Sequence, residues 1–234
     1  MALDTNKLPS TGGNRVEQPE LEAGVYPART VQIIDFGLQP QRPYKGQEKA
    51  PAYEIGITYE LVDAFMVDED GEELLDKPRW VSENMPVYNL SADLAKSTRR
   101  YKALDPTEEF GGHFGMLTDI PCNVTIVINK KGDKTYTNIA DVGPMRPRDA
   151  AKCPELVNPT RVFDLSDPDL EIFNTFPKWI QEKIVGNLEY KGSKLEALLE
   201  GQTEEKPKGS SRKEPEVEQE PPFDADEEVD NSPY

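Results

Sequence analysis

Tyr53-Glu-Ile-Gly-Ile-Thr-Tyr-Glu-Leu-Val-Asp-Ala-Phe65 is the most regular stretch of the chain. Tyr53, Ile55, Ile57, Tyr59 and Leu61 occupy alternate positions, with Glu54, Gly56, Thr58 and Glu60 between them. That period of two is the pattern of a strand with one apolar and one polar face. Gly56 interrupts the polar face, where a missing side chain marks a bulge, a sharp bend or the close approach of another group. A long strand bent at a glycine suits a small closed barrel.

Working outward, Gly24 to Leu38 alternates in the same way, with Val25, Ala28, Val31, Ile33 and Phe36 as its apolar members. Between these two strands, residues 39–51 (QPQRPYKGQEKAP) lose all periodicity and combine Arg42, Lys45 and Lys49 with Tyr44. A flexible basic loop carrying an aromatic ring suits base stacking. Asp70-Gly71 predicts a hairpin turn, and residues 77–87, with Arg79 and Trp80, a third strand. A helix is predicted over 91–104, with Ser91 as N-cap and Leu94 and Tyr101 on one face. Its Lys96, Arg99 and Arg100, spaced i, i+3 and i+4, converge as a cationic face for phosphate. Two further strands, 121–129 and 135–145, flank a turn bearing Lys130, Lys131 and Lys134. Beyond Arg146 the pattern turns helical, with an apolar stripe of Trp179, Ile180, Ile184 and Leu188 and a last short helix from Ser193. Those helices need a surface to bury against, either the barrel or a second copy in a homodimer.

Four segments follow: a disordered leader (1–22), a barrel domain (23–147), a helical extension (148–200) and a disordered acidic tail (201–234). The tail holds eleven acids against four bases, so residues 1–200 carry −10 of the total −17. Nucleic-acid binding on such a body must use a local patch. Two isolated cysteines, Cys122 and Cys153, exclude a disulfide framework and a four-cysteine metal site. With no apolar run of membrane length and no signal-peptide pattern, the expectation is a soluble cytoplasmic protein. No phosphate-binding glycine loop, zinc-protease helix, nucleophile elbow or histidine cluster is present, and the single histidine, His113, has no catalytic partner nearby. The expectation is a binding protein without catalytic residues, metal or cofactor.

Five strand blocks with one helix between the third and fourth have the element order of an OB-fold. The expected class is thus mainly β with α additions: an OB-fold-like five-stranded barrel with a helical C-terminal extension. The blocks ITYELVD (57–63), NLSADLAKSTRRYKALD (89–105), IPCNVTIVI (120–128) and YTNIADVGPMRPRDAAK (136–152) resemble phage-encoded single-stranded DNA-binding proteins. The acidic segment with Asp224, Asp226, Glu227, Glu228 and Asp230, followed by Pro233 and Tyr234, is similar to the acidic tips of such proteins, with Tyr where Phe is usual. The resemblance implies sequence-independent binding of single-stranded DNA in phage replication and recombination, inside a bacterial host's cytoplasm. It further implies a tail that recruits phage or host replication and recombination proteins. On the residues, Tyr44, Trp80 and Tyr88 are the stacking candidates, and Arg42, Lys45, Lys49, Arg79, Lys96, Arg99, Arg100, Lys131 and Lys134 the phosphate candidates. The other reading is an acidic module that binds or inhibits a host nucleic-acid enzyme.

Overall fold

The computed structural model describes Val16, residues 18–132 and residues 134–204. Five strands form an antiparallel path: β1 (Gly24–Gln39), β2 (Ala52–Val67), β3 (Glu73–Pro86), β4 (Pro121–Lys131) and β5 (Lys134–Pro144), in the order β3-β2-β1-β4-β5. A sixth, β6 (Arg161–Phe163), pairs in parallel with Gln32–Ile34 of β1. Helix α1 (Lys96–Leu104) lies between β3 and β4. Past the sheet come α2 (Pro147–Ala150), α3 (Leu170–Thr175), α4 (Lys178–Val185) and α5 (Lys194–Glu204).

The protein is therefore mainly β with helical additions, but the sheet does not close. Among the described residues no hydrogen-bonded ladder joins β3 to β5. Helix α1 spans that opening instead. Its Arg100 is buried and ties the two strands together: Nε and Nη2 donate to Glu83 of β3, at 2.7 and 3.3 Å, and Nη1 donates to Asp141 of β5 at 2.7 Å. Nη2 also reaches the carbonyl of Ala140 at 3.3 Å. Glu83 further accepts the Tyr59 phenol at 3.0 Å and pairs with Lys96 at 2.9 Å. A side-chain ion network thus occupies the place where a closed barrel would have backbone bonds; Arg100 and Glu83 are buried in it as a pair, while Lys96 and Asp141 reach solvent.

The register of β2 is regular at Gly56 and shifts against β3 only between Glu60 and Met66, whereas β1 is bulged twice. Its pairing with β2 skips a residue between Thr30 and Gln32 and again between Asp35 and Gly37, so Val31 and Phe36 are bulged. The first bulge marks a change of partner: β4 pairs with Gly24–Arg29 and β6 with Gln32–Ile34. The second lies at Phe36, which shares the outer face with Ile34 two residues before it. Gly56 makes room for it, since a Cβ there would lie 2.8 Å from the Phe36 ring and 2.9 Å from Asn84 Oδ1.

Two cores result, one on each face of β1. The inner one gathers Ile33, Ile57, Tyr59, Leu61, Val124 and Ile126 with Tyr101 and Leu104 of α1. The outer one joins Ile34 and Phe36 to Phe163, Phe173, Phe176, Ile180, Ile184 and Leu195 of the extension. The helical segment packs on this chain's own sheet, with Phe176 of the stretch before α4 meeting Phe163 edge-on at 5.6 Å.

Several local expectations change. Helix α1 starts at Lys96, not at residue 91: Asn89–Ala95 form successive turns, Ser91 caps nothing, and Leu94 is exposed while Tyr101 is buried. Asn89 explains this, because its side chain accepts from the Ser91 amide and its carbonyl accepts from the Thr98 hydroxyl, holding the chain in turns. Strand β3 begins at Glu73, close behind a turn in which Asp68 Oδ1 accepts from the amides of Asp70 and Glu72. Cys122 is buried and its thiol is pushed up, chiefly by burial; Cys153 is half-buried, and both are free.

Candidate nucleic-acid interface

The segment between β1 and β2 is an ordered hairpin. Tyr44 and Gln47 exchange backbone hydrogen bonds at 2.9 and 2.8 Å, and Lys45 and Gly46 take φ of +47° and +79°. Both central residues are left-handed, the signature of a type I′ turn, which glycine accepts at no cost and lysine accepts only under constraint. The constraint has a visible correlate. The ammonium groups of Lys45 and Lys49 each lie 4.7 Å from the centroid of the Tyr44 ring, within range of a cation–π attraction of about 0.5–1 kcal/mol at an exposed site. Arg42 is exposed on the same hairpin. Its base is tied down: Gln41 donates to Glu54 Oε1 at 2.7 Å, and Lys183 of α4 pairs with Glu54 Oε2 at 2.8 Å while lying over the Phe36 ring at 4.4 Å.

Two more tyrosines stand at this end of the sheet. Tyr53 begins the alternating stretch that reads as core, yet it is 52 % exposed. It lies one residue into β2, beyond the inner core, and its carbonyl accepts from the Val87 amide at 2.7 Å just past the end of β3. Tyr88 follows at 46 % exposure, its amide donating to Ser97 Oγ at the start of α1. The Tyr53 phenol donates to Glu189 Oε1 at 2.9 Å, and this bond, with the charge of Glu189, raises the phenol's pKa. Sequence reasoning overlooked Tyr53 because alternation assigns a face but not where along a strand the core stops. Its position at the strand's first turn-proximal residues was the available signal.

The remaining candidates lie elsewhere. Trp80 is half-buried, its indole donating to Glu60 Oε2 at 2.9 Å. Glu60 also accepts from the Val157 amide and Asn158 Nδ2, both at 2.7 Å, so the pair clamps the 157–158 loop onto the sheet. Arg79 donates to the Pro19 carbonyl, and burial lowers its pKa. Lys96 and Arg100 do converge, but on Glu83 rather than outward; Arg99 is exposed. Lys131 is exposed at the β4–β5 turn, and the backbone puts Lys134 at the start of β5. By the antiparallel register that turn is at the end of the sheet where β1 starts, opposite the Tyr44 hairpin. The basic groups therefore do not form one patch. Asp224, Asp226, Glu227, Glu228, Asp230, Pro233 and Tyr234 lie outside the described residues.

Among the described residues no group of three or more His, Cys, Asp or Glu side chains could hold a metal ion. None of their helices is long and apolar enough to cross a membrane. A scan against protein-family models and a search of curated proteins both find no match to this chain.

Proposed function

We propose that the protein binds single-stranded DNA without strong sequence preference, in the manner of phage-encoded single-stranded DNA-binding proteins serving replication and recombination. The observation that carries this reading is the one end of the sheet that bears an ordered, lysine-flanked Tyr44 together with exposed Tyr53 and Tyr88. Aromatic rings on which bases stack, beside cations that follow the phosphates, are what such binding requires. The strand order, with a helix between β3 and β4, supports reading the sheet as an OB-fold left open between β3 and β5. The acidic segment 214–234 would act as a tethered arm that recruits replication proteins.

A second reading is favoured by a specific observation: the −10 charge of residues 1–200, with Lys96 and Arg100 spent on internal acids. It is an acidic module that binds a nucleic-acid enzyme. Fluorescence anisotropy with labelled oligo-dT at low and at high salt separates the two. The DNA-binding reading expects saturable binding whose log affinity falls with log salt by about 0.7 per phosphate neutralised. No binding at low salt would leave the interaction module.

A further inference from the structure

The Tyr53–Glu189 pair has a geometry that neither strand formation nor core packing needs. Tyr53 presents an exposed ring on a rigid strand, and its hydroxyl is fixed 2.9 Å from Glu189 Oε1. Glu189 is itself exposed but rises from an anchored backbone: its amide donates to Asn187 Oδ1 at 2.9 Å, and the neighbouring Leu188 amide donates to the Leu38 carbonyl of β1 at 2.9 Å. Asn187 is buried, its own Nδ2 bonded to the Ile184 carbonyl at 2.6 Å. An exposed ring therefore has a carboxylate at its hydroxyl rim, beside the space that a base stacked over the ring would fill. The carboxylate is an acceptor only and repels phosphate.

We infer that Tyr53 and Glu189 form a base-binding subsite in which the ring stacks on a base and the carboxylate accepts a hydrogen bond from the base's exocyclic amine. This rests on the single-stranded nucleic-acid reading and goes beyond it, since it adds a bias among bases. Cytosine presents an N4 amine that a carboxylate can accept from, whereas thymine presents only a carbonyl oxygen at that position. The subsite thus favours cytosine over thymine, two pyrimidines of similar stacking area. It also gives the C-terminal extension, which supplies Glu189, a part in binding.

The test uses the full chain, with labelled oligo-dC and oligo-dT of equal length titrated by anisotropy at low salt. Wild type is expected to bind oligo-dC about three-fold or more tighter than oligo-dT. Glu189→Gln should level that preference, because an amide both accepts and donates. Tyr53→Ala should weaken both oligonucleotides by about five-fold or more, whereas Tyr53→Phe, which keeps the ring and loses the hydroxyl, should hold most of the oligo-dT affinity. Circular dichroism confirms that the variants are folded. Tyr53→Ala binding like wild type overturns the subsite, as does a base preference that is absent from wild type or unchanged in Glu189→Gln; in these cases oligonucleotide binding by wild type still stands. Wild type binding neither oligonucleotide overturns the nucleic-acid reading and the subsite with it.

Discussion

The two faces of the sheet are held by different chemistry. On the inner face, alternate apolar residues of β1, β2 and β4 meet one another directly, and the polar groups there are gathered into the network of Tyr59, Glu83 and Arg100. On the outer face the strands offer Gln32, Thr58, Glu60, Ser82 and Asn84 beside Ile34 and Phe36, and the rest of the apolar mass arrives from residues 161–199. Gln32, Thr58 and Glu60 are nevertheless buried, while Ser82 and Asn84 remain exposed. Thr58 and Ser82 hydroxyls bond at 3.0 Å, and Glu60 takes three neutral donors, two of them from the loop before β6. A polar strand face, then, need not be a solvated one: burial is tolerated wherever each donor and acceptor finds a partner.

The contrast can be broken most forcefully at Arg100. Arg100→Ala removes the tie between β3 and β5 and leaves Glu83 with the half-exposed Lys96 and the Tyr59 phenol, so a loss of about 3–5 kcal/mol is expected in urea unfolding. A loss below about 1 kcal/mol would mean that the sheet's open side is held by packing and not by the ion network.

Gly56→Val probes the outer face with a smaller expected effect. The new side chain must displace the Phe36 ring and Asn84, for an expected cost of about 1–3 kcal/mol in the same assay. An unchanged unfolding midpoint would show that Phe36 yields freely and that the outer core is loosely fitted.

The smallest effect belongs to Asp35, at the rim of the outer face. Burial raises its carboxyl pKa, outweighing the Gly37 and Leu165 amide bonds that lower it, and the charges of Asp164 and Glu189 raise it further. The folded state thus holds this proton more tightly than the unfolded chain, and stability falls as pH rises through the raised range. Asp35→Asn retains an acceptor for the Gly37 amide, which is 2.8 Å from Asp35 Oδ1. It should stabilise the fold at neutral pH by less than about 1 kcal/mol, with the gain vanishing as the medium is acidified below the ordinary carboxylate range. A gain that persists in acid would point to packing rather than charge.

Much of the strand and helix inventory was readable in the residues. Alternation in β1, β2, β4 and β5 located the strands, and Ile180 with Ile184 marked the buried side of α4. The outer core was less readable, because its members are spread from Ile34 to Leu195 and include a strand of only three residues, Arg161–Phe163, too short for any periodicity. The candidate site divides in the same way. Arg42, Tyr44, Lys45, Lys49 and Tyr88 stood out by type and setting, whereas Tyr53 was hidden within an apolar pattern and Glu189 among many surface acids.

Local pattern was enough to say which residues form strands and which side of each strand is apolar, since both follow from backbone geometry and residue type within a few positions. Long-range placement decided the rest. Whether Arg100 faces a phosphate or Glu83, whether the polar side of β2 meets water or the extension, and whether Tyr53 lies in the core or beyond its edge all depend on contacts between residues as far as 136 positions apart. The energies of those contacts depend on desolvation and pairing in the assembled fold, which no window of sequence contains.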